Sequence, residues 1–145
     1  MSLVRFIAAL FSRSVRPNSA SKDPRHQLGV RGEKLAEKHL RRAGYKILYR
    51  NYRAKGGGEV DLVCRDGDTL AFVEVKTRTS DEFGRPGDAV NAEKRALIER
   101  GARSWVRMLD KTDVLARFDV VEVIAGAGRP EITLHKAAFT PKRSR

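Results

Sequence analysis

The chain is poor in cysteine, in acidic residues, in aromatic residues and in long apolar runs. Its 145 residues include one cysteine, Cys64, so an internal disulfide framework or a cysteine-based zinc site is excluded. Its apolar runs are all shorter than the roughly 18 residues of a membrane-spanning helix. With 41% hydrophobic residues, the composition predicts one soluble globular domain in which Cys64 is a small buried hydrophobe.

Basic residues outnumber acidic ones by 30 to 18, and the formal net charge is +12. The excess is concentrated at the ends: residues 1–26 carry five Lys or Arg and one acid, and residues 136–145 carry four and no acid. Such a balance suits a polyanionic partner or an acidic membrane surface, or it serves solubility alone. The apolar start, residues 3–11, is short and lacks a small-residue cleavage site, so we predict a cytoplasmic protein.

The sequence pattern divides the chain into a flexible basic arm (1–25), a folded domain (26–137) and a basic tail (138–145). Apolar residues at helical spacing predict one helix over 27–43, ended by Gly44, and another over 89–109, capped by Asp88. Alternating patterns predict strands over 45–53, 59–65, 69–78, 118–124 and 131–136. The predicted order is α-β-β-β-α-β-β, a mixed α/β fold whose central mixed sheet is flanked by helices.

The predicted hairpin of residues 59–65 and 69–78 brings two carboxylates together. With Gly67-Asp68 as its loop, Asp61 lies opposite Glu74; with Asp66-Gly67 as its loop, the two are diagonal neighbours on the same face. Carboxylates about 5 Å apart repel by roughly 3 kcal/mol at an effective dielectric of about 20. A fold gains nothing from this repulsion, whereas a divalent cation would convert it into coordination.

Magnesium would suit these ligands, since it prefers carboxylate oxygens and keeps several waters. The Val75 carbonyl is a candidate third ligand, and Lys76 projects from the same face as Glu74, where it would orient or deprotonate a water. Glu33 lies at the edge of the first helix's apolar face, where Gly29 and Gly32 would permit close approach to the sheet. Glu33 is thus a further candidate ligand, with a solvated helix charge as its alternative.

The other acids and the tyrosines have weaker assignments. Glu37 is predicted to be a solvated charge. Glu59 is either a metal ligand or the ion-pair partner of Lys76. Base stacking and core packing are both open to the tyrosines, with core packing favoured; they are Tyr45, Tyr49 and Tyr52.

On these residues the sequence resembles the PD-(D/E)xK nuclease superfamily, which has the restriction-endonuclease-like fold, and more narrowly the YraN family of bacterial predicted endonucleases. The first half is also similar to archaeal Holliday-junction resolvases. The resemblance covers about residues 27–125 and rests on Gly32-Glu33, Ala36-Glu37, Gly44-Tyr45-Lys46-Ile47-Leu48, Arg50-Asn51-Tyr52-Arg53, Gly58-Glu59-Val60-Asp61-Leu62-Val63, Phe72-Val73-Glu74-Val75-Lys76-Thr77-Arg78 and Phe118-Asp119-Val120-Val121. The chain departs from the superfamily's Pro-Asp dipeptide, because Val60 precedes Asp61.

The resemblance implies a metal site of Glu33, Asp61 and Glu74, with Lys76 as the catalytic lysine. The expected function is Mg²⁺-dependent, or alternatively Mn²⁺-dependent, hydrolysis of DNA phosphodiester bonds, with branched DNA as the secondary expectation. A junction-cutting role would favour a homodimer.

Two other functions fit the sequence. One is a catalytically silent nucleic-acid-binding module that keeps the fold. The other, less favoured, is membrane or partner contact through residues 1–16. The basic side chains nearest the predicted site are the candidate phosphate contacts; they are Arg78, Arg85, Lys94 and Arg95.

Overall fold

A five-stranded mixed sheet with one helix on each face forms the described part of the chain. The computed structural model describes residues 22–79, 90–110 and 113–141. Most of the predicted arm, Arg85, Asp88 and the end of the predicted tail lie outside the described residues. The elements, in chain order, are α1 (Pro24–Arg42), β1 (Lys46–Ala54), β2 (Gly58–Asp66), β3 (Thr69–Arg78), α2 (Ala92–Met108), β4 (Leu115–Ile124) and β5 (Glu131–Phe139).

The strands lie in the sheet in sequence order, β1 to β5. Every neighbouring pair is antiparallel except β3 and β4, which are parallel and joined through α2. The predicted element order and mixed α/β class are therefore confirmed. β4 begins three residues before its predicted start, and β5 continues three residues beyond its predicted end because Phe139 is buried and stacks on Phe118.

Helix α1 shows which local signals fix its ends. It begins at Pro24, earlier than predicted, because the Asp23 side chain accepts a hydrogen bond from the Arg25 backbone N–H at 3.0 Å and proline suits the first turn. Gly44, with φ of 92°, ends it as predicted. The Tyr45 N–H donates to the Leu40 carbonyl and the Gly44 N–H to the Arg41 carbonyl, the bond pair of a Schellman cap.

Helix α2 begins later than predicted. Its N-cap is Asn91, whose side chain accepts a hydrogen bond from the Lys94 backbone N–H at 2.9 Å, so the prediction of Asp88 as the cap is wrong. Asparagine caps a helix as well as aspartate does, and the apolar pattern alone did not separate the two positions. The predicted buried face of this helix is confirmed at Ile98, Ala102 and Trp105, which are all buried.

Each helix covers one face of the sheet and encloses its own apolar cluster. Helix α2 packs with Phe72 and Val120 on one face, and α1 packs with Val73 and Val121 on the other. Cys64 is fully buried and unpaired in the second cluster, as predicted. The tyrosines belong to these clusters: Tyr45 is buried in the second, and Tyr52 is buried in the first with Tyr49 packed against it. The favoured core role of the tyrosines is thus confirmed.

Two glycines let the helices approach the hairpin closely. A Cβ atom on Gly32 of α1 would lie 1.8 Å from Thr77 Oγ1, and one on Gly58 of β2 would lie 2.4 Å from the Gly101 backbone nitrogen of α2. The predicted close approach at Gly32 is confirmed. The same prediction for Gly29 is wrong, because no atom lies within 4 Å of the position its Cβ would take.

A buried aspartate joins β4 to its surroundings through a complete set of hydrogen bonds. Asp119 is fully buried and accepts from the Tyr45 hydroxyl at 2.8 Å, from Arg117 Nε at 2.8 Å and from the Ala137 N–H at 3.0 Å. Arg117 also donates to Asp66 at 2.8 Å. Lys136 Nζ lies 3.3 Å from the same Asp66 carboxylate and supplies a second cation. These five side chains, Tyr45, Asp66, Arg117, Asp119 and Lys136, are called the Asp119 network below. Its two acids are balanced by two cations, and it holds the far end of the hairpin to β4 and β5.

Candidate active site

The hairpin register places Asp61 beside Glu74. Asp66 pairs with Thr69, and the pairing continues to Leu62 and Val73, which confirms Gly67-Asp68 as the loop and rejects the alternative register. Gly67 has φ of 59°, the conformation that a type II′ turn needs at its first loop position. At Asp61, next to the last paired residue Leu62, a side chain continues the link between the two strands: Asp61 Oδ2 accepts a hydrogen bond from the Val75 N–H at 2.9 Å.

Glu74 is buried with an incomplete set of partners. Its Oε1 lies 3.5 Å from Lys94 Nζ, while its Oε2 is buried and receives no hydrogen bond from any described residue when both carboxylates are ionised. Burial, followed by the charge of Asp61, raises the pKa of Glu74 to about 8, and burial likewise raises the pKa of Asp61. The predicted repulsion is therefore present, and a shared proton relieves it in the metal-free protein.

Glu33 faces the same two carboxylates from helix α1. Burial raises its pKa, and so do the charges of Asp61 and Glu37. Glu37, one turn further along, is instead tied to β1 by Arg50, whose Nη2 lies 2.7 Å from its Oε1. The prediction of a solvated charge was thus wrong for Glu37, since it is a structural ion-pair partner.

An open cleft of about 590 Å³ joins these groups. It lies between the N-terminal halves of α1 and α2, where Glu33, Glu74, Lys76 and Lys94 all line it. Lys76 is exposed, and its neighbour Val75 lines the cleft too. The structure thus brings Glu33, Glu74, Val75 and Lys76 to one cleft. Asp61 does not line the cleft itself; it lies next to Glu74, with its carboxylate bonded to the Val75 N–H.

Lys94 and Glu59 occupy roles that the sequence did not indicate. Lys94 Nζ is hydrogen bonded to Glu59 Oε1, so the predicted pairing of Glu59 with Lys76 is wrong. The role of Lys94 as a phosphate contact stays a prediction. The bond to Lys94 lowers the pKa of Glu59. Burial lowers the pKa of Lys94, but its three acidic neighbours outweigh burial and raise it; they are Glu59, Glu74 and Asp61.

The other candidate phosphate contacts lie in different surroundings, and their role stays a prediction. Arg95 donates to the Val90 carbonyl at 3.1 Å and lies over the Phe139 ring, 5.2 Å from its centroid, so it packs against the core. Arg78 is half-buried at the end of β3. Arg25, which the sequence analysis missed, lines the cleft together with Gly29 and Glu33. Their spacing of four residues places all three on one helix face. Asp23-Pro24 is a helix-start signal, and a helix that begins there includes Arg25, so the sequence could have indicated this position.

The chemistry of this cleft fits a hard divalent cation. Glu74 offers an unpartnered buried oxygen, and Asp61 offers a second carboxylate that repels it. No three His, Cys, Asp or Glu side chains within the described ranges are gathered closely enough to form a ready-made metal cage. Two carboxylates with the remaining positions left to water match the way proteins usually bind magnesium.

The described part of the chain contains no helix that is both long and apolar enough to cross a membrane.

Comparison with known sequences places the chain in a family. The profile described as "Uncharacterised protein family UPF0102" matches residues 32–123. A UPF0102 protein of Geobacter metallireducens is 47% identical over 112 residues, which span 77% of this chain and 91% of that relative. A UPF0102 protein of Solibacter usitatus is 50% identical over 109 residues, 74% of this chain and 82% of the relative. The chain therefore belongs to the UPF0102 family.

Proposed function

We propose that the protein is a magnesium-dependent nuclease that hydrolyses phosphodiester bonds of DNA. The observation that carries this proposal is the buried pair Asp61 and Glu74, in which Glu74 Oε2 lacks a hydrogen-bond donor although the two acids repel. A purely structural role would leave this destabilising arrangement unexplained. Manganese is the alternative metal.

Asp61 and Glu74 would hold the ion, with Glu33 and the Val75 carbonyl as further ligands, directly or through water. The bound ion supplies Lewis-acid stabilisation of the phosphate oxygens and lowers the pKa of a coordinated water. The Val75 N–H fixes the Asp61 carboxylate at 2.9 Å and so sets the direction of its free lone pairs.

Lys76 acts on the water and on developing charge. Its ammonium is on the exposed side of the cleft, next to Glu74 and Val75, and so lies where a DNA backbone can reach it. In this role it orients the attacking water and stabilises the negative charge of the transition state. Arg25, on the α1 wall of the cleft, neutralises a neighbouring phosphate.

The test is cleavage of labelled linear, nicked, flap and four-way-junction DNA with Mg²⁺, with Mn²⁺ and with EDTA. Metal-dependent cutting is expected for the wild type, and the ranking of substrates shows whether branched DNA is preferred. Asp61→Asn and Lys76→Ala should abolish cutting while binding persists. Asp68→Asn, an exposed change at the tip of the same hairpin, is the matched control and should cut normally.

The competing function is a silent DNA-binding module, which the net charge of +12 favours independently of the carboxylates. Binding without cutting of any substrate in either metal would support it. In that case binding should weaken steeply with salt, and deletion of the basic ends should remove most of it. Equal loss of binding and cutting in folded Lys76→Ala would contradict the catalytic assignment of Lys76.

A further inference from the structure

We propose that Lys94 is a built-in counterion of the carboxylate site and that a divalent metal ion has to displace it from Glu74 in order to bind. This inference rests on the proposed function, since it concerns the same metal site. It assigns to the protein a lysine that holds the carboxylates together before metal binds and restrains metal loading. This lysine is separate from Lys76, which acts on the water.

The contacts of Lys94 place its charge between the carboxylates of Glu59 and Glu74. Its Nζ is hydrogen bonded to Glu59 Oε1 and lies 3.5 Å from Glu74 Oε1. Its side chain is 30% exposed, so solvent screens the charge only partly. Among the described residues, the ion pairs to these acids are made by Lys94 and not by Lys76. Lys94 thus holds the position of a cation in the metal-free site.

Lys94 neutralises this site only in part. An ammonium group can approach one Glu74 oxygen while it stays bonded to Glu59, and the other Glu74 oxygen, Oε2, remains buried without a donor. The contact to Glu74 is also longer than the contact to Glu59. The weaker contact is therefore the one that a doubly charged ion would break.

Glu59 gains a role from this arrangement. A metal ion at Asp61 and Glu74 would repel the ammonium, since like charges in a partly buried site interact strongly. Because Glu59 already binds Lys94, the lysine can leave Glu74 without losing its other partner. Helix α2 fixes the positions of both Lys94 and Glu59. The Asn91 cap holds the Lys94 backbone, and Gly101 lies against Gly58, next to Glu59.

The experiment is calorimetric titration of the full chain with Mn²⁺ alone. Lys94→Gln keeps a polar side chain of similar length and removes the charge. Its dissociation constant for Mn²⁺ should fall about three- to tenfold below the wild-type value, the scale expected for a partly exposed ion pair. Lys38→Gln, an exposed lysine on α1, removes the same charge at a distance and should change the constant less than twofold.

A second variant keeps the test decisive if Lys94→Gln does not fold. Glu59→Gln frees Lys94 to pair fully with Glu74, so Mn²⁺ binding should weaken more than in Glu93→Gln, an exposed acid in the first turn of α2. Equal weakening in these two variants, or unchanged or weaker binding in folded Lys94→Gln, would overturn the proposal and leave the nuclease function standing.

The proposed function can fail separately. Tighter Mn²⁺ binding in Lys94→Gln, without DNA cleavage by any form of the protein, would support the counterion role and overturn the nuclease function. No Mn²⁺ binding by the wild type or by Lys94→Gln, relative to Asp61→Asn as the blank, would overturn both.

Discussion

The Asp119 network and the Asp61–Glu74 pair are two buried carboxylate clusters on one sheet, with opposite electrostatics. Asp119 meets Arg117, the Tyr45 hydroxyl and a backbone N–H, so its charge is balanced and its oxygens are satisfied. Glu74 meets a second acid and keeps one buried oxygen without a donor. Burial alone therefore does not distinguish the two clusters; the completeness of their hydrogen bonding does.

The largest effect on stability should come from disrupting the Asp119 network. Asp119→Ala leaves the Tyr45 hydroxyl and the Ala137 N–H without their acceptor and removes one partner of Arg117. We expect the free energy of unfolding to fall by about 3–5 kcal/mol in urea denaturation, the cost of removing one partner of a buried pair. Asp68→Ala, at the exposed loop, should cost less than about 0.5 kcal/mol. A loss below about 1 kcal/mol for Asp119→Ala would remove the distinction drawn between the clusters.

The Asp61–Glu74 pair should make the metal-free protein less stable as pH rises. Glu74 has a pKa of about 8 in the folded protein against an ordinary value of 4.5, so the folded state binds the proton more tightly. The stabilisation is complete below about pH 4.5 and is lost as pH rises through 8. Since one pKa unit corresponds to about 1.4 kcal/mol, the loss over this range is on the order of 5 kcal/mol.

This pH dependence can be measured by urea unfolding in EDTA at pH 5.5, 6.5, 7.5 and 8.5. Asp68→Asn should keep the wild-type slope, whereas Asp61→Asn should reduce it, because burial still raises the pKa of Glu74 but the repelling charge is gone. Stability that is constant or that rises between pH 6 and 8 would show that the two acids do not share a proton.

Removing the repulsion should stabilise the protein while it removes activity. In Asp61→Asn the amide can still accept the Val75 N–H, and its NH₂ group can donate to Glu74 Oε2. At pH 8 without metal we expect the free energy of unfolding to rise by about 1–2 kcal/mol, since a buried unsatisfied group costs about that much. Calorimetric melting beside the cleavage assay measures both effects, and a destabilised Asp61→Asn would contradict the assignment of strain to this pair.

The smallest expected effect concerns the wall of the cleft. Arg25→Gln should weaken DNA binding about three- to tenfold and reduce the salt dependence by roughly one phosphate contact, with little change in stability. Fluorescence anisotropy across a salt series measures this. Arg42→Gln, an exposed arginine at the other end of α1, is the control. Identical salt slopes for the two variants would place Arg25 outside the DNA path.

The sequence predicted the hairpin and its acids because both depend on local rules. Alternation and a two-residue loop fix which residues share a face, so Asp61 and Glu74 could be paired without a structure. The end of α1 at Gly44 was predictable for the same reason, since a helix C-cap depends on its neighbours in the chain.

The role of Lys94 could not be predicted in this way. Lys94 lies 20 positions after Glu74 in the chain, and its contact with the acids depends on how α2 lies across β2. That packing depends on Gly58 and Gly101, whose close contact is tertiary. The Asp119 network was missed for a similar reason: Tyr45 and Asp119 are 74 positions apart and meet only when the sheet is assembled.

The glycine contacts also bear on how precisely the cleft is built. Gly32 precedes Glu33 on one wall of the cleft, and Gly58 precedes Glu59, the partner of Lys94 on the opposite wall. In each case one added carbon atom would collide with the facing element. Relief of either collision would require a shift of about an ångström, and the rate of the proposed cleavage reaction should then fall about a hundredfold. The width of the cleft therefore depends on the absence of a side chain at Gly32 and at Gly58.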